Sequence, residues 1–239
     1  MTFKNVIVTG ANRGIGLEFV RQLLKQNNSP KNLIATTRKQ SPELDSLKSA
    51  HNNLHVLTYD ATNYDSYGDF VKQVESIVKN EGLNLLINNA GMAIRSTLDN
   101  VTPKDILTNV EVNAVGSLML TKALLPLLKA SAAAGQKTLV ANISSAMGSI
   151  DDNGSGGSYA YRASKVTMNM FTKSLSVDLK SDNIIVMTLH PGWVQTDMGG
   201  PNALINTETS ATGLLDVFNK ADMSYTGKFL DWAGKERKW

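Results

Sequence analysis

The 239-residue chain contains no cysteine, which excludes a disulfide framework and a thiolate zinc site and leaves its redox compartment open. Its three histidines, His51, His55 and His190, are scattered without metal-ligand spacing, so no metal is expected. No stretch approaches the ~20 consecutive apolar residues that span a bilayer, so none is expected to cross a membrane. Met1-Thr2-Phe3-Lys4 leads almost directly into an apolar run. That leaves no room for a signal or transit peptide, and the cytoplasm is the default expectation. Neither sign of charge dominates: 24 basic against 21 acidic residues give a net +3. The basic residues are dispersed, which favours solubility over a nucleic-acid partner. Internal repeats and long polar linkers are also missing.

What is present is a steady alternation of strand and helix patterns. Strands are expected near 5–9, 32–36, 54–59, 83–88, 137–143, 183–189 and 227–231, and helices near 15–26, 42–49, 65–80, 103–132, 158–180 and 208–221. The rhythm never resets. One α/β domain over residues 1–239 is therefore expected, a Rossmann-type doubly wound parallel sheet of about seven strands flanked by helices. A domain of this size buries roughly 70% of its unfolded surface, enough for a core without staples. Thr102-Pro103-x-Asp105 starts a helix with a capping threonine and proline at the first helical position. Pro126 should kink the long apolar helix or mark its weaker turn. The small-residue run ending at Gly135 reads as a helix end.

Residues 6–16 carry the first chemical signal: Val-Ile-Val-Thr-Gly-Ala-Asn-Arg-Gly-Ile-Gly. A β-branched strand stops at Gly10, and Ile15, Phe19, Val20, Leu23 and Leu24 follow at helical spacing. Strand, glycine turn and helix are the context in which such a motif has meaning. Gly10 permits the tight turn, Gly14 lets backbone approach a phosphate, and Gly16 lets helix and strand pack closely. The helix N-terminus then offers unpaired N–H groups to an anion. The alternative is a glycine-rich turn without a ligand.

The second signal is Tyr161-Arg162-Ala163-Ser164-Lys165, sixteen residues after Ser144-Ser145. A tyrosine and a lysine four apart on a helix share one face. A free phenol, with a pKa of ~10, is a poor acid near neutrality, and a neighbouring ammonium would draw that value down. Tyr159 has Ala163 rather than lysine four places on, so Tyr161 is the expected acid.

Taken in order, these motifs resemble the short-chain dehydrogenase/reductase family nearly end to end. Thr9-Gly10-Ala11-Asn12-Arg13-Gly14-Ile15-Gly16 matches its nucleotide motif, and Asn88-Asn89-Ala90-Gly91 matches its next one. Asn113, Ser145, Tyr161 and Lys165 match its catalytic set, and Pro191-Gly192-Trp193-Val194-Gln195-Thr196 its late cofactor motif. Within the family the chain is similar to the sniffer and C-factor type of carbonyl reductase. The resemblance implies an NADP(H)-dependent oxidoreductase with Tyr161 as proton donor and Ser145 as a hydrogen-bond donor to the substrate oxygen. Lys165 would lower the tyrosine pKa and bond the nicotinamide ribose, and Asn113 would hold a water that relays protons. On residues alone, Asn113 could equally be a polar residue at a helix irregularity. Ser144 and Ser145 must face opposite ways at a strand end, and motif alignment selects Ser145. The cofactor set is Gly10, Asn12, Arg13, Gly14, Ile15, Gly16, Thr37, Arg38, Asp60, Ala61, Asn89, Ala90, Gly91, Tyr161, Lys165, Pro191, Gly192, Val194 and Thr196.

Cofactor choice rests on a missing carboxylate. An NAD enzyme places an acid after the second strand to bind the ribose 2′-hydroxyl, whereas this chain has Thr37-Arg38 there. A guanidinium grips a 2′-phosphate, and Arg13 is a second cation nearby, so NADP(H) is expected over NAD(H). Asp60 either contacts the adenine or merely forms a turn in Asp-Ala-Thr-Asn.

The residues expected to line the substrate pocket are Met92, Ile94, Met147, Trp193 and Met198, mostly apolar. A short covering loop over 198–212 suggests an open site for hydrophobic aldehydes, ketones or quinones. The loop over 151–157 is longer than the family's usual connection and is expected to be flexible and acidic. An NADP-linked alcohol or hydroxysteroid dehydrogenase is the runner-up, followed by a non-catalytic NADP-binding regulator. Surplus leucines in 103–132 (Leu118, Leu120, Leu124, Leu125, Leu127 and Leu128) suggest a homodimer through this helix and that of 158–180, a pairing common in the family.

Overall fold

The computed structural model describes residues 3–239; Met1 and Thr2, part of the argument against a leader, lie outside them. Seven strands form one sheet: β1 (Asn5–Val8), β2 (Asn32–Thr37), β3 (Leu54–Thr58), β4 (Leu85–Asn88), β5 (Thr138–Ile143), β6 (Ile184–His190) and β7 (Phe229–Asp231). Their order is β3-β2-β1-β4-β5-β6-β7, and every neighbouring pair is parallel. The helices are α1 (Gly14–Lys25), α2 (Pro42–Ala50), α3 (Tyr67–Val78), α4 (Pro103–Val110), α5 (Gly116–Ala133), α6 (Tyr159–Asp178) and α7 (Thr207–Lys220).

Alternation along the strands feeds two cores. Val6, Val8, Leu33, Ala35, Leu85 and Ile87 pack on one face with Phe19, Val20 and Leu23 of α1 and with Phe218 of α7. Ile7, Ile34, Leu86, Val140 and Val186 face the other way, onto Phe70 and Val74 of α3 and the leucines of α5. Burial on both faces is why these strands read as continuous apolar runs. Strand order reverses between β1 and β4, so a crevice opens beyond their carboxyl ends, where ligands bind in sheets of this kind.

The expected single helix over 103–132 is two helices joined by a π turn, Glu111–Val115. The irregularity therefore falls at Asn113, and α5 runs unbroken through Pro126. Proline withholds its N–H from the Lys122 carbonyl and its ring crowds that carbonyl, but both residues lie on the exposed side, where the helix can adjust. Water can serve that carbonyl. Thr102 and Asp105 close the expected cap reciprocally: Asp105 N donates to the threonine hydroxyl at 3.2 Å, and Thr102 N to the aspartate at 3.0 Å.

By length and composition Pro103–Ala133 could cross a membrane, with a mean hydropathy of 1.3 in its apolar window, although it holds no unbroken apolar run of that length. Leu120, Leu124, Leu127 and Leu128 are buried in the core beneath the sheet, which accounts for that character. This also corrects the surplus-leucine argument. Only Leu118 and Leu125 of the six are half-buried. The most exposed large apolar side chains on these helices are instead Leu107 of α4 and Met170 and Val177 of α6.

Candidate active site

The crevice is built where two turns meet at the reversal point. After β1, Gly10 and Gly14 adopt the left-handed region, at φ 63° and 57°. Both are conformations that glycine alone reaches without strain. No side chain caps α1, so its first N–H groups remain free to meet an anion. The turn after β4 locks onto this one. Asn89 N and Ala90 N both donate to the Thr9 hydroxyl at 2.9 Å, and the Asn89 amide donates to Thr9 O and Gly10 O. A Cβ on Gly10 would sit 2.9 Å from Ala90 Cα. One on Gly14 would sit 3.3 Å from Thr196 Cγ2, so the late motif closes the far wall. Glycine turn, Asn89–Gly91 and Thr196 thus enclose a backbone-lined cradle that side chains would fill, as a dinucleotide phosphate requires.

Gly16 is the tightest point of the glycine turn. A Cβ there would lie 2.3 Å from Gly10 O and 2.6 Å from Asn89 Nδ2. Gly16→Ala should therefore force the glycine turn off α1, costing ~1–3 kcal/mol as overpacking does and weakening dinucleotide binding. Thermal melting with and without NADPH checks this, and an unchanged melting temperature with full ligand stabilisation would overturn it.

Several cofactor-set residues have structural employment. Asp60 accepts from Thr62 N at 3.0 Å and from its hydroxyl at 2.9 Å, a self-contained turn. Ala61 is buried against Gly116 of α5. Asn12 and Ile15 are half-buried beside the glycine turn. Thr37 is buried, and its hydroxyl donates to Lys39 O at 2.7 Å. Arg13 pairs with Asp197, a residue the sequence reading did not single out, whereas Arg38 is exposed and has no carboxylate partner among the described residues. Pro191 O accepts from Ser210, Gly192 is held at φ 89°, and Val194 is buried.

The catalytic candidates come from three elements. Ser145 follows β5 and caps a short turn, accepting from Met147 N at 3.2 Å. Ser144 faces the other way, its hydroxyl 2.7 Å from Asn169 of α6. Tyr161 and Lys165 lie on the first turns of α6, and the ammonium sits 5.7 Å from the centre of the Tyr161 ring. Asn113 is fully buried in the π turn. Its amide brackets Met92, accepting from Met92 N at 2.8 Å and donating to Met92 O at 2.9 Å, and it donates to Ser164 at 2.9 Å. Asn113 thereby ties the 91–94 segment to the helix that carries Tyr161 and Lys165. A Cβ on Gly91 would lie 3.2 Å from its Oδ1, which links this cluster to the cradle.

The electrostatics differ from the expectation. The sequence reading has Lys165 pulling the phenol pKa down, but Lys165 donates to Ile143 O at 2.8 Å and lies over the ring, not at the hydroxyl. Burial pushes the Tyr161 hydroxyl up, opposed by a hydrogen bond with Ser145 and by the charge of Arg95. Burial also lowers Lys165 to about 8. His190 is lowered to about 4, first by burial and then by Arg237. As a neutral acceptor it takes a hydrogen bond from Ala146 N at 3.1 Å, which steadies the Ser145 turn.

Met92, Ile94 and Met147 are half-buried around this centre, and Trp193 and Met198 are exposed at its rim. The 151–157 loop, expected to be flexible, is pinned. Asp152 pairs with Arg237 and Asp151 with Lys238, Asp151 N donates to Trp239 O, and Arg162 holds Ser155, Gly156 and Gly157. Neither these 237–239 partners nor Arg95 stood out in the sequence. Only the adjacency of Arg95 to Met92-Ala93-Ile94 could have drawn attention to it.

The fold and this crevice have relatives. Residues 4–204 match the family model for short chain dehydrogenases. The C-signal protein of Myxococcus xanthus is 40% identical over 158 residues, covering 66% of this chain and 93% of that protein. The carbonyl reductase Sniffer of D. melanogaster superposes with a TM-score of 0.98 at 40% identity, and an NADPH-bound carbonyl reductase from chicken fatty liver with 0.96 at 39%, each over 100% of both chains. With its seven-stranded parallel sheet, its glycine cradle and this match over most of its length, the chain belongs to the short-chain dehydrogenase family.

Proposed function

We propose that the protein is an NADPH-dependent carbonyl reductase acting on hydrophobic aldehydes, ketones or quinones. The observation that carries this is the placement of Ser145, Tyr161 and Lys165 beside one another, tied through Asn113 and Gly91 to the glycine cradle. The Sniffer and chicken fatty liver proteins, both described as carbonyl reductases, support the reading, and the latter holds NADPH.

In this reading the Gly10–Gly16 turn and the free N-terminus of α1 hold the pyrophosphate. Arg38 grips the 2′-phosphate, with Arg13 close by. A bound nicotinamide supplies a hydride to the carbonyl carbon. Ser145 donates a hydrogen bond to the carbonyl oxygen, and Tyr161 transfers its proton there, completing the alcohol. A phenol pushed up by burial suits this direction, because it stays protonated through neutral pH. Lys165, charged below about 8, favours return of a proton to the site after turnover.

That value gives a pH expectation. As pH rises through about 8 the free protein loses the Lys165 charge, so kcat/KM for NADPH, which reports ionisations of the free enzyme, should fall. A profile that climbs or stays flat to pH 10 would contradict a required ammonium.

The direct test follows NADPH oxidation by absorbance with a panel of diketones and quinones, and NADP⁺ reduction with alcohols and hydroxysteroids. Faster oxidative turnover would favour the dehydrogenase reading. Tight NADPH binding with no turnover would favour a non-catalytic regulator. We also propose a homodimer through α4 and α6. Met170 and Val177, 63% and 66% exposed and seven residues apart on α6, join Leu107, 68% exposed, as uncovered apolar surface. Light scattering should give twice the chain mass; a value near 25.9 kDa at micromolar concentration overturns this.

A further inference from the structure

Arg95 occupies a distinctive place. Its segment is clasped on both sides: Met92 by Asn113, Ile94 N by Asn109 at 3.3 Å, and Ser96 O by Ser158 N at 2.7 Å, three residues before Tyr161. The backbone that carries Arg95 is therefore fixed to α4, the π turn and the start of α6. The side chain reaches out to the facing loop, where Nη2 donates to Met198 O at 2.8 Å. The residues expected to line the substrate pocket flank this contact, half-buried Met92 and Ile94 on its own segment and exposed Trp193 and Met198 on the facing loop.

Its charge is unspent. Among the described residues Arg13, Arg21 and Arg237 pair with Asp197, Glu18 and Asp152. Arg162 gives its donors to Ser155, Gly156 and Gly157. Among the described residues Arg95 makes a single hydrogen bond and has no carboxylate partner, and it is exposed. The acids that could neutralise this mouth are engaged elsewhere: Asp197, next to Met198, with Arg13, and Asp151 and Asp152 with Lys238 and Arg237. The field of Arg95 reaches the reacting group, since its charge favours the Tyr161 phenolate. One free guanidinium beside the expected pocket residues, on a segment bonded to the start of the helix that carries the proton donor, selects a particular ligand shape. That ligand is a hydrophobic body with a carbonyl at one end and an anion at the other.

We propose that Arg95 is a specificity-determining residue that recruits carbonyl substrates bearing a carboxylate, pairing with the carboxylate while the carbonyl faces Ser145 and Tyr161. This rests on the carbonyl-reductase reading and narrows it to a substrate class. The substrate is an aromatic or alkyl carbonyl compound whose carboxylate lies one ring or a short chain away. Neutral carbonyls of the same size still react, without the added attraction.

The test compares 4-formylbenzoate with its methyl ester, which keeps the size and removes the charge. With NADPH, the unmodified protein should show the higher kcat/KM for the acid, and added salt should erode that advantage while leaving the ester unaffected. Arg95→Gln should lower kcat/KM for the acid at least tenfold more than for the ester, whose smaller change reports the charge lost beside Tyr161. Arg95→Lys should restore part of the loss. NADPH affinity, followed by fluorescence, should not change in either variant. Equal losses on both substrates would show that Arg95 only pins the Met198 loop, and would overturn the proposal. An acid no better than the ester in the unmodified protein would also overturn it, while leaving the carbonyl-reductase reading intact. If the ester and the wider panel are all refused, the carbonyl-reductase reading fails, and this proposal with it.

Discussion

Tyr161→Phe is expected to lower turnover by ~10²–10⁴-fold, the usual worth of a positioned proton donor, while NADPH binds as before. The variant removes one oxygen from a side chain whose ring contacts persist: Lys165 remains over the ring face, 5.7 Å from its centre. Nothing in the glycine cradle depends on that oxygen, so cofactor affinity is the internal control. The loss should appear in kcat more than in KM, because the hydroxyl acts where charge develops on the carbonyl oxygen. Ser145 remains as a donor to that oxygen and should hold a residual rate above background. Stopped-flow measurement of NADPH oxidation under single-turnover conditions isolates the step. Activity above a tenth of the unmodified protein would sink the assignment of Tyr161 as the acid.

Thr37→Asp should shift preference from NADPH toward NADH by at least tenfold, taken as the ratio of kcat/KM values. Thr37 lies at the end of β2 beside Arg38, where no acid is present. A carboxylate there would repel the 2′-phosphate and give a 2′-hydroxyl an acceptor. A unit-charge repulsion at contact distance near a surface is worth ~1–4 kcal/mol before salt screening, ample for a tenfold shift. The local backbone can keep its form, since an aspartate can still accept from Lys39 N, as Thr37 does at 3.3 Å. The lost donation to Lys39 O falls where water can replace it, because Lys39 is exposed. If the unmodified protein already uses NADH as efficiently as NADPH, the cofactor reading is wrong. If the variant loses both cofactors equally, damage to β2 rather than charge is the cause.

Much of the architecture was legible because it depends on local signals. Glycines at 10, 14 and 16 after a β-branched run allow few other local geometries. The parallel sheet announced itself through apolar runs buried on both faces, and seven strands lie within a residue or two of where the pattern put them. The site motifs were legible for the same reason, as short stretches whose order is diagnostic.

What escaped was non-local. From the sequence, Pro126 is expected to kink the helix or mark its weaker turn, and a helix irregularity at Asn113 is only one of two readings of that residue. The structure places the irregularity at Asn113, whose amide bonds to Met92 and Ser164 at positions distant in the chain. The 151–157 run looked flexible from its glycines and aspartates. Its order comes from Arg237, Lys238 and Trp239, some 85 residues away, which no window of sequence can connect.

The sequence by itself determined the fold, the family and the residue types available for chemistry, because propensity, periodicity and motif spacing act over a few residues. Only the tertiary structure decided how those residues are tuned. Burial raised the Tyr161 hydroxyl and lowered Lys165, and the lysine donates to Ile143 O, not to the phenol. Asp197 took Arg13 and left Arg38 and Arg95 without carboxylate partners among the described residues. Desolvation and charge pairing depend on what surrounds a group in space, and distant segments provide those surroundings only once the chain has folded.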